Sequence, residues 1–233
     1  MPCDILFDLD GTLIDSSPGI LASFERVLAA HGLQAVVPLE ASLIGPPLGE
    51  TLRRISGIEN QDELDRLVEA FKRDYDSEGY RATTAFPGVA EGLAQLAERS
   101  ARLFIVTNKR LVPTRLILEA LGLARHFSGI HSRDETAPMA SSKSAVTRRV
   151  IAQHAIDPGN ACFVGDSDED ANAAAENGLD FIHACYGYGA AGVVSGGLRL
   201  DRFEDLPVLI AGLGESRSRV AGAAMKGRTG TGK

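Results

Sequence analysis

The chain has 233 residues, is 44% hydrophobic and carries a net charge of −7. That length suits one large or two small domains with a substantial core. The acidic balance argues against nucleic acid and anionic membrane as partners, since both bind basic patches. From Glu215 the tail carries Arg217, Arg219, Lys226, Arg228 and Lys233 against a single Glu. The remainder is therefore more acidic than the total, which is compatible with a metal-dependent enzyme.

Cys3, Cys162 and Cys185 show no C-x-x-C spacing and read as buried reduced thiols. Asp4 and Asp8 interrupt the opening apolar run, so it does not read as a secretion signal. No apolar run approaches the roughly 20 residues of a membrane span. A soluble, cytoplasmic protein is expected.

In chain order, ILFDL (5–9) predicts a strand, and Asp8 and Asp10 follow two apart. Residues two apart on a strand project to one face, so both carboxylates are expected to enter one small volume. They would repel each other there unless a cation or a chemical use compensates. Ser17 and Pro18 then read as the N-cap and first position of a helix that Gly32 stops. A second helical pattern covers Asp62 to about Tyr80, with Leu64, Leu67, Val68 and Phe71 on one face. No strand is expected between residue 16 and Phe86-Pro87-Gly88.

Beyond that point strands and helices alternate. RLFIVT (102–107), ACFVG (161–165) and DFIHAC (180–185) read as strands, with a further one near Gly129–Ser132. EGLAQLAERS, PTRLILEALGL, SKSAVTRRVIAQHAI and EDANAAAENG read as the helices between and after them. Such alternation predicts a parallel sheet with helices on both faces. The expected domains are an α/β core (1–15 and 84–214), a helical insert (16–83) and a disordered tail (215–233). Ligands bind at the carboxyl ends of strands in such sheets, so the insert is placed as a lid, with hinges near Asp15–Ser17 and Thr83–Phe86.

Polar residues collect at those strand ends and helix starts: Asp8 and Asp10, Thr107 and Asn108, Lys143, Asp166 and Asp170. Each has an ordinary use as a cap, turn or surface residue. Their joint occurrence in this order is what distinguishes them.

The motifs DLDGT (8–12), VTN (106–108), Lys143 and GDSDED (165–170) resemble those of the haloacid dehalogenase-like hydrolase superfamily, across nearly the whole chain before the tail. IGPPLGETL (44–52) and FPGV (86–89) resemble its phosphoglycolate phosphatase-like branch. The resemblance implies a Rossmann-like α/β core with an all-α cap and a magnesium-dependent phosphomonoesterase of a small phosphorylated metabolite. Asp8 would be the nucleophile that forms an aspartyl-phosphate, and Asp10 the general acid and base. Asp8, Asp166 and the backbone carbonyl of Asp10 would hold Mg2+, with Asp170 behind them. Gly11, Thr107, Asn108 and Lys143 would hold the phosphate. Gly45, Pro46 and Pro47 in the insert are candidates for substrate selection, and Arg53 and Arg54 read as solvated surface.

Many relatives follow the lysine with proline, whereas Lys143 sits in SSKSAV; Lys109 competes with it for phosphate contact. Phosphomutase, nucleotidase and pyrophosphatase chemistry are the alternatives on the same frame. The terminal GRTGTGK lacks the strand and helix of a phosphate loop. DSDEDAN lacks the glycine and terminal glutamate of a calcium loop. The segment around Gly187 and Gly189 reads as a loop beside the site.

Overall fold

The computed structural model describes residues 4–189 and 197–213. Its strands in chain order are β1 (Asp4–Phe7), β2 (Ile14–Asp15), β3 (Thr84–Ala85), β4 (Leu103–Thr107), β5 (Gly129–Ser132), β6 (Ala161–Gly165), β7 (Asp180–Ala184) and β8 (Leu198–Leu200). The helices are α1 (Ser17–Ala30), α2 (Leu48–Ser56), α3 (Gln61–Ser77), α4 (Val89–Glu98), α5 (Leu111–Ala120), α6 (Lys143–Gln153) and α7 (Asp168–Glu176). Residues 206–213 are also helical.

Six strands form one sheet in the order β5-β4-β1-β6-β7-β8, with every pairing parallel. All five residues of β4 and all five of β6 are buried, as expected of strands covered on both faces. Ile5, Phe7, Ile105 and Val164 meet Leu93 and Leu96 of α4, Leu118 of α5 and Leu206 of the last helical stretch. Their neighbours Leu6, Phe104, Val106 and Phe163 meet Val146 and Val150 of α6 and Ala174 of α7. Side-chain alternation thus builds both hydrophobic layers from the same strands.

The chain runs outward from β1 through β4 to β5, then crosses back to β6 and continues to β8. The carboxyl ends of β4, β1 and β6 therefore stand side by side at the point where the strand order reverses, where open α/β sheets bind ligands. The insert has its own core of Phe24, Leu28, Leu52, Ile55, Leu67 and Phe71. Arg110 at the start of α5 joins it to the sheet domain through a bidentate pair with Asp76 of α3.

Several elements differ from the sequence expectation. β1 stops at Phe7; the Asp8 N–H still donates to the Val164 carbonyl (2.9 Å), and the turn begins at Leu9. Ser16, not Ser17, is the N-cap of α1. The helix α2 was not foreseen: its nine residues, LGETLRRIS, are short and polar on average. The second cap helix ends at Ser77, and a 3-10 turn, Gly79–Ala82, completes it. The strand β8 was also missed, since LRL has only three residues. The proposed tail lies outside the described residues. Among those described, no helix is long and apolar enough to cross a membrane.

The insert is entered and left through β2 and β3, which pair antiparallel, Ile14 with Ala85 and Asp15 with Thr84. The Ser16 side chain does not cap α1. Instead the Tyr188 hydroxyl accepts from the N–H groups of Ser16 (2.7 Å) and Ser17 (3.1 Å) and donates to Asp15 (2.7 Å). Burial alone would raise the Asp15 pKa, but hydrogen bonds from Ser17 and Tyr188 hold it below the ordinary value. A depressed carboxyl stabilises the fold above its unfolded pKa, and that contribution is lost as pH falls through the folded value. Tyr188→Phe is expected to cost about 1–2 kcal/mol in denaturant unfolding and to speed amide exchange at Ser16 and Ser17. Unchanged exchange at both amides would contradict this role.

Candidate active site

The turn after β1 follows from the sequence LDGT. The Leu9 carbonyl accepts from Thr12, Leu13 and Ile14 N–H groups, closing a single helical turn. Gly11 takes φ +84° within it, a left-handed conformation costly for residues with a Cβ. A Cβ at Gly11 would also overlap the Asp166 carboxylate. The Gly11 N–H donates to the Ile14 carbonyl (3.0 Å). Gly11 thus supplies the turn and the space for Asp166.

Asp8 is buried, and its carboxylate lies 2.9 Å from the ammonium of Lys143. Asp170 accepts from the same ammonium at 2.7 Å. The other oxygen of Asp170 accepts from the Ser167 N–H (3.1 Å) and hydroxyl (2.6 Å) in a capping box that starts α7. Asp166 follows β6 and accepts from Thr12 Oγ1 (3.1 Å) and the N–H groups of Tyr188 (2.8 Å) and Gly189 (3.1 Å). A Cβ at Gly187 or Gly189 would strike Asp166, and one at Gly165 would strike Asp170. The loop at 186–189 is therefore part of the wall that orients Asp166.

Carboxylate oxygens of Asp8, Asp166 and Asp170 lie within 4.8 Å of one another, and all three residues are buried. One buried ammonium, Lys143, stands against these three acids. Burial raises the Asp8 pKa well above the carboxylate norm; Lys143 opposes this, and repulsion from Asp170 and Asp166 adds to it. Asp166 is raised as well, by burial and then Asp170, against its backbone donors. Burial disfavours the Lys143 charge, but Asp170 and Asp8 outweigh it and raise its pKa. An all-oxygen, charge-deficient cluster of this kind fits a hard divalent cation.

Asp10 behaves differently from the expectation of two carboxylates repelling each other. Its Oδ1 accepts from the Ser16 hydroxyl and from Lys109 Nζ at 3.0 Å. The Asp10 side chain is not among the three clustered acids, and the repulsion felt at Asp8 comes from Asp166 and Asp170 instead. Asp8 and Asp10 nevertheless border the same cavity. The Lys109 ammonium also lies 4.7 Å from the Tyr75 ring centroid, a cation–π contact across the cap boundary. Lys109 thus holds Asp10, whereas Lys143 holds Asp8.

Thr107 closes β4, and its Oγ1 accepts from the Lys109 N–H (3.1 Å). The Asn108 amide donates to Glu169 (2.6 Å) and to the Gly45 carbonyl of the cap (3.1 Å). Gly45, Pro46 and Pro47 border the same cavity as Asp8, Asp10, Thr107 and Lys143. Arg53 donates to Gln61 on the exposed cap surface. The pairing of Lys109 with Asp10, the Tyr188 brace and the Gly187–Gly189 wall were not assigned from sequence. Alternating Tyr and Gly after the last clear strand was the one available signal, and it carries no partner by itself.

A haloacid dehalogenase-like hydrolase family model matches residues 5–184. The chain belongs to that family. The tyrosine-protein kinase PtkA of Mycobacterium tuberculosis is 35% identical over 190 residues, 80% of this chain and 63% of that protein. The chain thus spans less than two thirds of the length of that relative. A phosphoglycolate phosphatase of Cupriavidus necator is 30% identical over 218 residues, covering 90% of this chain and 94% of its own. The crystal structure of a predicted phosphatase from Clostridium acetobutylicum superposes with a TM-score of 0.80 at 25% identity, covering 91% and 99% of the two chains.

The charge imbalance has a thermodynamic consequence. In chelator, Asp166→Asn is expected to unfold with about 1–2 kcal/mol more stability than wild type, because a buried carboxylate pressed by Asp170 is replaced by a neutral acceptor. A carboxyl with a raised folded pKa favours folding at low pH and loses that contribution as pH rises through the folded value. The difference should therefore shrink as pH falls and wild-type Asp166 gains its proton. Thermal unfolding across pH checks this; a less stable variant at neutral pH would contradict it.

Proposed function

We propose that the chain is a magnesium-dependent phosphomonoester hydrolase that works through an aspartyl-phosphate on Asp8. The observation that carries this reading is the group of three buried acids around one ammonium, of which Asp8 and Lys143 border the cavity that Asp10 also borders. Asp8 and Asp166 are the residues that would hold Mg2+, with Asp170 fixing Lys143 beside them. When bound, the cation supplies the positive charge that lets a phosphate dianion approach a carboxylate.

The chain's own groups do the rest. An Asp8 oxygen attacks phosphorus as the bond to the leaving oxygen breaks, and Asp10 gives that oxygen its proton. Water then attacks the aspartyl-phosphate, Asp10 takes the water's proton, and the bond from phosphorus to Asp8 breaks to release inorganic phosphate. The Lys143 ammonium and the Thr107 hydroxyl, with the backbone at Asn108, hold the phosphoryl oxygens where charge builds. Lys109 positions Asp10 between the two half-reactions. The cap covers the site and limits access of bulk water.

A second reading, transfer of a phosphoryl group to a protein tyrosine, rests on the 35% identity with a relative named as a tyrosine-protein kinase. The deciding experiment offers a panel of phosphomonoesters, with phosphoglycolate as reference, and separately ATP with a tyrosine peptide. Each is run with magnesium and with chelator. The hydrolase reading expects phosphate release that chelator abolishes and that Asp8→Asn lowers by at least about 1,000-fold. Phosphotyrosine from ATP without net phosphomonoester hydrolysis would overturn it in favour of the second reading.

A further inference from the structure

The cavity above Asp8 and Asp10 has a volume of about 330 Å³, within the range of about 300–1,000 Å³ typical of small-molecule pockets. Beyond the catalytic groups, most of its cap wall is apolar, although Thr51 and Lys72 of the cap and Arg133 and Asp134 of the sheet domain also border it. Phe24, Phe71 and Tyr75 form one side as a run of rings, with centroid spacings of 4.7 and 5.5 Å. Ile44, Pro46 and Val68 are among the other cap residues that border it.

The cations around the cavity are engaged. Lys143 is held by Asp8 and Asp170, Lys109 by Asp10, and Arg110 by Asp76. Arg133 donates to the carbonyls of Ala140 and Ser141. Lys72 pairs with Glu69 one turn away on α3, an exposed pairing of little strength. Among the described residues that border the cavity, Lys72 and Arg133 are the cations not held by a buried or bidentate carboxylate. A two-carbon acid would leave most of the space unfilled and most of the apolar cap wall uncovered. A flat apolar group would instead fill the space between the ring edges of the Phe71 side and the aliphatic residues Ile44, Pro46 and Val68, displacing water from apolar surface.

We infer that the leaving group accepted by this site is aromatic, so that the substrate is a phosphomonoester of an aryl or arylmethyl alcohol rather than of a short hydroxy acid. This rests on the phosphomonoester hydrolase reading, which supplies the phosphoryl end of the ligand. The phosphate faces Asp8 and Lys143, and the ring extends into the cap between the Phe71 side and the Pro46 side. Bond changes are those of the hydrolysis: the bond from phosphorus to the alcohol oxygen breaks, and the aromatic alcohol leaves with the proton from Asp10.

Aryl phosphates are intrinsically more reactive, so turnover alone would mislead. The test measures magnesium-dependent binding of two non-hydrolysable probes, benzylphosphonate and phosphonoacetate, by calorimetry, alongside turnover of benzyl phosphate and phosphoglycolate. The inference expects benzylphosphonate to bind at least about tenfold tighter. Val68→Lys, which puts a cation into the half-buried wall, should narrow or reverse that preference. Val68→Ala should weaken benzylphosphonate while leaving phosphonoacetate unchanged, which guards against misfolding of the lysine variant. Equal affinities, tighter phosphonoacetate, or no binding of either probe would overturn the inference. Tight benzylphosphonate binding with no turnover of any ester would leave the aromatic preference standing and sink the hydrolase reading instead.

Discussion

Three buried carboxylates share a single lysine at the end of β1 and β6, and much of the surrounding chain is arranged around that imbalance. Two charges of like sign in a low-dielectric crevice repel strongly. Asp8, Asp166 and Asp170 are kept together by side-chain and backbone donors on every side. Gly11, Gly165, Gly187 and Gly189 leave room for the acids where any Cβ would collide. The sheet order brings the donors together, because β1 lies between β4 and β6 and each contributes a strand end. A divalent cation would offset the negative charge that Lys143 alone leaves uncompensated among the three acids.

The cap is coupled to this centre through few residues. Tyr188 gives its N–H to Asp166 and its hydroxyl to the hinge at Asp15–Ser17. Asn108 and Arg110 connect the strand-end loop after β4 to the cap at Gly45 and Asp76. Lys109, between them in sequence, reaches Asp10 and the Tyr75 ring. The segment 107–110 thus reaches the cavity, Asp10 and the cap in four consecutive residues. A change in cap position would be felt at Asp10 through Lys109.

The sheet strands with strong apolar runs were legible in the sequence because burial on both faces demands such runs. So was the placement of the candidate site residues at strand ends and helix starts, because alternation of strand and helix assigns each motif to a terminus. Elements whose stability comes from tertiary contact were not legible: the two-residue strands β2 and β3, the three-residue β8, and the polar helix α2. The partners of Asp10 were hidden for another reason. Lys109 lies 99 positions away in sequence, and no local pattern distinguishes a lysine that holds an acid from one that holds phosphate. The apolar character of the cavity is likewise a property of three cap helices meeting, whose inward residues look like ordinary core in each helix alone.

The central claim is that Asp8 carries the phosphoryl group between two half-reactions. Acid quenching of a single turnover, with substrate labelled at phosphorus, followed by peptide mapping, tests it most directly. The account predicts label on the peptide containing Asp8, removed by hydroxylamine and absent from Asp8→Asn. Label on another residue, or an Asp8→Asn protein that still turns over at the wild-type rate, would contradict it.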